Sequence, residues 1–166
     1  MERTFTIRWL TPDSAEADAP ELLRLIRGLA QYEGWARAID ITAGDLIRRA
    51  QLPEPPFRAA LAEATSGAPK NKGSSVTLVG MATVFVTNYT FAQKPSLELE
   101  MLFVDGDWRS HGVGAAIMDQ VFLHAQGGGY TKLEWNVLNT NARAQKFYAQ
   151  MGGKHQVQWE RWGLAL

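Results

Sequence analysis

Arg109, Gly112 and Gly114 form the spacing R-x-x-G-x-G directly in front of an apolar segment that predicts a helix. Amide groups at a helix N-terminus have no partner within the helix and lie at the positive end of its dipole, so they can hold a pyrophosphate. Glycine would let such an anion approach the main chain closely. The alternative is a tight turn that binds nothing. The spacing therefore predicts either an anion-binding loop or a plain turn.

Two familiar phosphate-binding loops are excluded by the residues around this spacing. No G-K-[ST] is present, as a nucleoside triphosphate loop would need. The pattern G-x-G-x-x-G fails as well, because position 117 is isoleucine. A nicotinamide cofactor is therefore not expected.

Glu98 and Glu100 lie two residues apart in LELEM, a segment that alternates as a strand does. Alternation puts both carboxylates on one face, about 7 Å apart along the strand. They stand just before the glycine loop, at the carboxyl end of a strand, where ligands of α/β proteins collect. A carboxylate there can accept a proton from a reacting group. The alternative is that both glutamates only cover a solvated face of the sheet.

Composition excludes several other kinds of chemistry. The 166 residues include no cysteine, so disulfides, thiolate metal sites and a cysteinyl acyl intermediate are impossible. His111, His124 and His155 are too scattered for a metal triad, and Ser110 beside His111 has no apparent acidic partner. The 17 basic and 17 acidic residues balance, so neither nucleic acid nor a membrane is an expected partner. Specificity must come from a local site.

The periodicity of the chain predicts one domain over residues 1–166 with a mixed α/β fold. Alternating segments predict strands at 5–9, 56–64, 75–89, 96–104, 131–138 and 156–164, the second and third forming a hairpin around an exposed loop. Helical spacing predicts helices at 21–33, at 43–50 after Thr42, from the glycine loop to the glycines at 127–129, and from Asn141 to residue 151. The polar segment before residue 21 predicts a loop.

These segments together resemble the GNAT superfamily of acetyl-CoA-dependent N-acetyltransferases, whose signature is [QR]-x-x-G-x-[GA] after the fourth strand. WRSHGVG matches that signature, and LEWNVLNTNARAQKFYAQMGG is similar to the family's fifth strand and asparagine-led helix with its F-Y pair. LLRLIRGLAQYE and ELEMLFVDGDWR resemble the diamine branch, the spermidine/spermine and thialysine acetyltransferases. The resemblance covers almost the whole chain. It implies a mixed, mostly antiparallel central sheet of about six or seven strands flanked by about four helices.

The resemblance also implies how acetyl-CoA would bind. The strand would splay at Leu102, Phe103 and Val104, where main-chain groups would bind the pantetheine arm and polarise the thioester carbonyl. The pyrophosphate would lie on Arg109, Ser110, His111, Gly112, Val113, Gly114 and Ala115. Asn141, Ala142, Arg143 and Ala144 would line the coenzyme on its other side, a role that is compatible with Asn141 as an N-cap. No metal is implied.

Two residues would move protons in the implied reaction. Acetyl transfer from a thioester needs a neutral amine, but an alkylamine with a pKa of about 10.4 is mostly protonated at neutral pH. By the resemblance, Glu100 accepts this proton through water and Tyr148 protonates the departing thiolate. Helical spacing also allows Tyr148 to be a core residue beside Phe147, with a hydroxyl that needs a partner. The acetyl group would pass directly to the amine in a ternary complex.

The expected acceptor is a primary amine of a small cationic molecule, which means a diamine, a polyamine or a lysine-like amine. Glu33, Glu98, Glu100 and Glu134 are candidate substrate carboxylates, and Tyr32 with Glu33 matches a Tyr-Glu pair of the branch. Met101 stands where the branch has an aspartate, and strict alternation places Glu98 on the opposite face. Small diamines and lysine-like amines are therefore favoured over long polyamines. Peptide N-termini, amino acids and aminoglycosides stay open as acceptors.

A coenzyme-A-binding sensor without turnover is a hypothesis of another class. Such a sensor would need the glycine loop but neither Glu100 nor Tyr148, so the presence of both favours an enzyme. The diamine branch pairs subunits through C-terminal strands, and QVQWERWGLAL therefore predicts a homodimer. The alternating N-terminus and the lack of an apolar run of about 18 to 20 residues predict a cytoplasmic protein.

Overall fold

Five strands form one sheet whose spatial order follows the chain. In the computed structural model, which describes residues 3–66, 76–158 and 162–164, they are β1 (Thr4–Trp9), β2 (Arg58–Ser66), β3 (Leu78–Thr87), β4 (Ser96–Val104) and β5 (Leu133–Trp135). Strands β1 to β4 pair antiparallel, and β5 pairs parallel with β4. The predicted mixed, mostly antiparallel α/β architecture is confirmed.

The described residues form four α-helices, as predicted. They are α1 (Ala15–Glu33), α2 (Ala43–Ala50), α3 (Val113–Gly127) and α4 (Ala142–Gln150), with short 3-10 turns at Ala36–Ala38 and Gly106–Trp108. The chain divides into two compact units, Met1–Trp135 with the sheet and the first three helices, and Asn136–Leu166 with α4. None of the described helices combines the length and the apolar character that a membrane crossing requires.

The number of strands is lower than predicted. The strand predicted at 156–164 is not found in its described part. Residues 156–158 and 162–164 do not form a strand, and residues 159–161 lie outside the described residues. A strand needs a neighbour, and the described part of Asn136–Leu166 contains no other strand. The strand predicted at 131–138 is also shorter, because β5 pairs only with Leu97 to Leu99 of β4.

Helix α1 begins at Ala15 instead of residue 21, so the predicted loop up to Pro20 is wrong in its second half. Asp18 is 0% exposed, and its carboxylate accepts hydrogen bonds from both terminal nitrogens of Arg8 on β1, at 2.6 and 2.7 Å. Arg8 also donates to Glu63 of β2 at 2.6 Å. The helix contains a proline, which removes one hydrogen bond, and this partly buried ion pair fixes its first turns to two strands.

Helix α2 begins where the sequence predicts, because Thr42 and Asp45 form a capping box. The Asp45 amide donates to Oγ1 of Thr42 at 3.2 Å, and the Thr42 amide donates to Oδ2 of Asp45 at 2.9 Å. Two side chains of the helix, Leu46 and Ala50, are 3% and 6% exposed and anchor it to the core. The orientation of this short helix is therefore fixed at its start and along its inner face.

The sheet is covered on its two faces by different helices. Helices α1 and α2 share the main hydrophobic core with β2 and β3, through side chains that include Leu22, Leu25, Leu46, Leu61 and Met81. Helix α3 covers the opposite face with the buried side chains of Val113, Ile117, Met118, Val121 and Ala125. Phe122 lies at the flank of this apolar stripe and is 53% exposed.

Candidate active site

A β-bulge in β4 determines where Glu100 lies. On β3, the consecutive residues Thr83 and Val84 pair with Met101 and Leu99, so Glu100 is an extra residue in the ladder. A bulge of this kind bends the strand and changes the direction of its side chains. As a result, Glu100 and Met101 are neighbours in sequence and nevertheless line the same cavity.

The bulge also overturns the predicted facing of Met101 and Glu98. Met101 pairs with Thr83 and Glu98 pairs with Phe85, and these two residues of β3 share a face because they lie two apart. Met101 and Glu98 therefore lie on one face of the sheet, and the prediction of opposite faces is wrong. Strict alternation fails here because one extra residue shifts the register of everything beyond it.

The cavity next to this face has a volume of about 390 Å³, at the lower end of the range for small-molecule sites. It lies between the first two helices and the sheet. Most of its wall is apolar, with Ile26, Trp35, Ile39, Leu46, Phe57 and Phe85 among the lining side chains. Among the described residues that line it, Glu100 and Arg49 carry the charges and Thr83 adds a hydroxyl.

Glu100 is oriented by a neighbour across the ladder. Oγ1 of Thr83 donates to Oε2 of Glu100 at 3.1 Å, and Thr83 itself is 2% exposed. One carboxylate oxygen is therefore held from the interior, while the Glu100 side chain as a whole is exposed. A fixed and hydrated carboxylate beside an apolar cavity can accept a proton from a bound group through water.

The other candidate carboxylates do not line the cavity. Oε2 of Glu33 accepts from Nε1 of Trp35 at 2.8 Å, so Glu33 supports one wall of the cavity from behind. Oε1 of Glu134 accepts from Nζ of Lys132 at 2.9 Å, a contact that raises the pKa of Lys132. Glu98 pairs with Glu134 in the β4–β5 ladder. Of the four, the structure brings only Glu100 to the cavity, and the substrate roles of the others stay predictions.

Tyr32 contacts the first residue of the glycine loop. The guanidinium carbon of Arg109 lies 4.9 Å from the centre of the Tyr32 ring and 5.4 Å from that of Phe103. Nε of Arg109 donates to the carbonyl oxygen of Val104 at 2.9 Å. The Arg109 side chain thus ties the loop to α1 and to the end of β4, and Tyr32 supports the loop.

The glycine loop leaves amide groups available at the N-terminus of α3. Gly112 is the N-cap residue with φ of 79°, Ser110 has φ of 64°, and no side chain caps the first turn. The first amide to bond into the helix is that of Ala116, which donates to the Gly112 carbonyl at 3.0 Å. The amides of Val113, Gly114 and Ala115 therefore have no intrahelical acceptor. This arrangement fits a phosphate group.

The strand in front of this loop has a free edge on the side of β5. Pairing between β4 and β5 stops at Leu99, whereas β4 continues to Val104. No β5 residue is thus paired with Leu102, Phe103 or Val104. The divergence agrees with the predicted splay, and their contacts with a coenzyme stay a prediction.

A network around Arg24 holds the junction of β4 and the loop. Both terminal nitrogens of Arg24 donate to the carboxylate of Asp105 at 3.0 Å, and one of them also donates to the Leu78 carbonyl at 2.6 Å. Burial lowers the pKa of Arg24, but the hydrogen bond and charge of Asp105, together with Glu21, raise it above its usual value. Helix α1 is therefore bonded to the end of β4 just before the glycines.

The remaining predicted site residues lie in the C-terminal unit, which is described by itself. Oδ1 of Asn141 accepts from the Ala144 amide at 3.1 Å, which confirms Asn141 as the N-cap. The rings of Phe147 and Tyr148 contact edge to face with centres 5.2 Å apart. Both residues are half-buried, so Tyr148 does not lie in a closed core. The coenzyme contacts of Asn141, Ala142, Arg143 and Ala144 and the role of Tyr148 stay predictions.

Three residues of the site carried no sequence signal. Thr83 orients Glu100, Arg49 lines the cavity, and Arg3 lies beside the glycine loop with Nη1 3.5 Å from Nε2 of His111. All three contacts join segments far apart in the chain, which periodicity and spacing do not reveal. No cluster of His, Asp and Glu that could hold a metal ion occurs among the described residues.

Comparison with known proteins shows which family the chain resembles. The sequence profile of the acetyltransferase (GNAT) family matches residues 33–153. Thialysine N-epsilon-acetyltransferase of Bos taurus is 29% identical over 151 residues, which cover 90% of this chain and 86% of that protein. Spermidine/spermine N(1)-acetyltransferase-like protein 1 of Homo sapiens is 30% identical, over 90% of this chain and 21% of that protein.

A solved structure shows the same fold. An aminoglycoside N-acetyltransferase in complex with CoA has a TM-score of 0.70 and 15% identity, and the match covers 100% of this chain and 98% of that chain. At this identity the likeness concerns the fold alone. The family profile, which spans most of the chain, decides the assignment. The protein belongs to the GNAT family of acetyltransferases.

Proposed function

We propose that this enzyme transfers the acetyl group of acetyl-CoA directly to a primary amine of a small molecule, such as a diamine, a polyamine or a lysine-like amine, in a ternary complex. The observation that carries the proposal is that β4 supplies two parts of the site. Glu100 lines a small apolar cavity, and the same strand leads into the uncapped N-terminus of α3. Relatives named for thialysine and for spermidine/spermine support an amine as acceptor.

Acetyl-CoA supplies the acetyl thioester when it is bound. The amides of residues 113–115, with Arg109, Ser110, His111 and Gly112, hold the pyrophosphate at the positive end of α3. The free edge of β4 at Leu102, Phe103 and Val104 offers main-chain groups to the pantetheine arm. Asn141, Ala142, Arg143 and Ala144 line its other side. A neighbour of the same fold solved in complex with CoA supports this ligand.

Glu100 takes a proton from the bound ammonium group through water, which leaves a neutral amine. The amine nitrogen forms a bond to the acetyl carbon as the bond from that carbon to sulfur breaks. The Tyr148 hydroxyl gives a proton to the departing sulfur, and the proton that the nitrogen releases as the amide forms restores the tyrosine. Glu100 and Tyr148 are thus the catalytic residues, and Tyr32, Glu33, Glu98 and Glu134 support the acceptor side.

The experiment that tests the function is thiol release from acetyl-CoA across a panel of diamines, polyamines, amino acids, aminoglycosides and peptides. Turnover with a small amine supports the proposal. If only peptides or only aminoglycosides were acetylated, the proposed acceptor class of small amines would be wrong and that class would take its place. Tight binding of coenzyme A with no turnover on any amine would favour a sensor.

We also propose a homodimer formed through the C-terminal segment, and a cytoplasmic location stays a prediction from the sequence. Val157, Trp162 and Leu164 in the described part of this segment are 78%, 87% and 88% exposed. A second subunit that covered these apolar side chains would remove them from water. Sedimentation at micromolar concentration should give a dimer, and a monomer alone would contradict the proposal.

Replacement of Gly114 by glutamate should abolish coenzyme binding while the fold is retained. An acidic residue in the first turn of α3 is favourable for the helix dipole, but it repels a pyrophosphate. Like charges brought together cost several kcal/mol, so we expect the Kd for coenzyme A to rise about a hundredfold or more. Calorimetry with coenzyme A measures the affinity, and thermal melting checks the fold.

Gly106→Glu is the matched control for this substitution. It adds the same side chain in the preceding turn, where a Cβ atom would meet nothing within 4 Å. Its Kd should stay close to that of the unchanged protein. If a folded Gly114→Glu protein bound coenzyme A with the same affinity as the unchanged protein, the glycine loop would be a plain turn that binds no pyrophosphate.

Glu100→Gln should lower turnover most near neutral pH and less as pH rises. The free amine becomes abundant in alkaline solution, so the need for a protein group that accepts the proton decreases. The measurement is kcat/KM against pH with a small amine. Glu98→Gln, on the same face but outside the cavity lining, is the control: a loss of its supporting role should lower kcat/KM by the same factor at every pH and leave the shape of the profile unchanged. A loss independent of pH would instead assign Glu100 to positioning of the amine.

Tyr148→Phe should lower turnover by about 100-fold or somewhat more, toward the lower end of the range for general-acid catalysis. A thiol with a pKa of about 8.5 leaves tolerably well as a thiolate, which limits the loss. Affinity for acetyl-CoA should be nearly unchanged, because the lost contact strengthens only as charge develops on sulfur. Thiol release at saturating substrates measures the effect. Normal turnover in a folded variant, or a large loss of thermal stability, would contradict the acid role.

A further inference from the structure

The lining of the acceptor cavity carries one charge of each sign. Among its described residues, Glu100 carries the negative charge and Arg49 carries the positive charge. Apart from Thr83, the rest of the wall is largely apolar. A polyamine in this cavity would meet a single carboxylate and would be repelled by a guanidinium. A molecule with one cationic and one anionic end would satisfy both charges.

Arg49 is available to bind an anion. The ion pairs of the described residues engage Arg8, Arg24, Arg48 and Lys132, and none of them engages Arg49. Its neighbour Arg48 pairs with Asp45 on the same helix. The side chain of Arg49 is exposed although it lines the cavity, so it lies where the cavity meets solvent.

The position of Arg49 is fixed by the helix that carries it. It lies between Leu46 and Ala50, which are buried in the core, and α2 starts at a capping box that is fully formed. A cation in the last turn of a helix also stabilises the last carbonyl groups, but that effect does not require a place in the cavity lining. The guanidinium presents a planar set of donors that matches a carboxylate.

We propose that the acceptor is an amino carboxylate, whose amine reacts beside Glu100, whose carboxylate binds Arg49 and whose aliphatic chain lies against the apolar wall. This inference rests on the proposed acetyltransferase function and specifies the acceptor of the same site. The cavity of about 390 Å³ suits a short molecule of this class. Arg49 is then the residue that determines specificity, while proton transfer stays with Glu100.

The test compares three amines of equal chain length that differ only at the far end: 5-aminopentanoic acid, 5-aminopentanamide and 1,5-diaminopentane. Thiol release gives kcat/KM for each with the full chain. We expect the acid to be the best acceptor and the diamine the poorest. Arg49→Gln should lower kcat/KM for the acid about two- to fivefold, the scale of an ion pair that is partly exposed, and leave the amide nearly unchanged.

Two further variants separate a specific contact from a general change of charge. Arg48→Gln removes the same charge one residue away and should leave the order of the three amines unchanged. Arg49→Glu should reverse the order, so that the diamine becomes the best acceptor. A preference carried by Arg49 should also weaken as salt is added, because exposed charges are screened.

The outcomes distinguish this inference from the function on which it rests. An unchanged ratio of acid to amide in Arg49→Gln, or a diamine preferred by the unchanged protein, would overturn the role of Arg49 and leave an acetyltransferase. If the enzyme acetylated other amines of the broad panel but none of these three, the role of Arg49 would also be overturned and the acetyltransferase function would stand. No turnover on any amine would remove both proposals.

Discussion

The bulge at Glu100 is the constraint on which the site depends. Without the extra residue, Glu100 and Met101 would point to opposite faces of β4, and only one of them would reach the cavity. With it, both lie beside Thr83, whose buried hydroxyl orients the Glu100 carboxylate. Pairing with β5 ends at Leu99, immediately before the bulge. The wall of the cavity and the end of the pairing with β5 therefore meet at a single irregularity in one strand.

Helix α1 then joins these two parts. Arg24 bonds to Asp105 at the end of β4, and Tyr32 lies on Arg109 in the glycine loop. The approach is close, because a Cβ atom at Gly28 would lie 2.8 Å from the ring of Phe103. Ion pairs that are partly exposed contribute about 1 kcal/mol or less each, so their effect is more on geometry than on stability. Movement of α1 would displace the wall of the cavity and the loop together.

The local features of this fold are readable from the sequence, and the long-range ones are not. Thr42 and Asn141 cap their helices as predicted, because a cap depends on residues a few positions away. The early start of α1 brings Asp18 to Arg8 of β1, a contact that only the packing of the helix on the sheet reveals. The bulge leaves no mark in a segment that alternates perfectly, since LELEM reads the same with or without an extra residue in the ladder.

The site shows the same division between local and distant information. The glycine loop is a continuous stretch and its geometry at α3 follows from its own residues. Arg49 is one of several cations on a short helix, and only the packing of α2 against the sheet places it in the cavity lining.

Met101 looks in the sequence like the loss of one acid that the diamine branch has at that position. In the structure, Met101 lines the same wall as the Arg49 guanidinium, so this wall lacks the acidic side chain that an aspartate would place there. Glu98 shares the face but not the cavity, so it does not restore the charge. The wall beside Glu100 therefore carries one charge of each sign, a balance that comes from the packing of α2 against the sheet and not from any local motif.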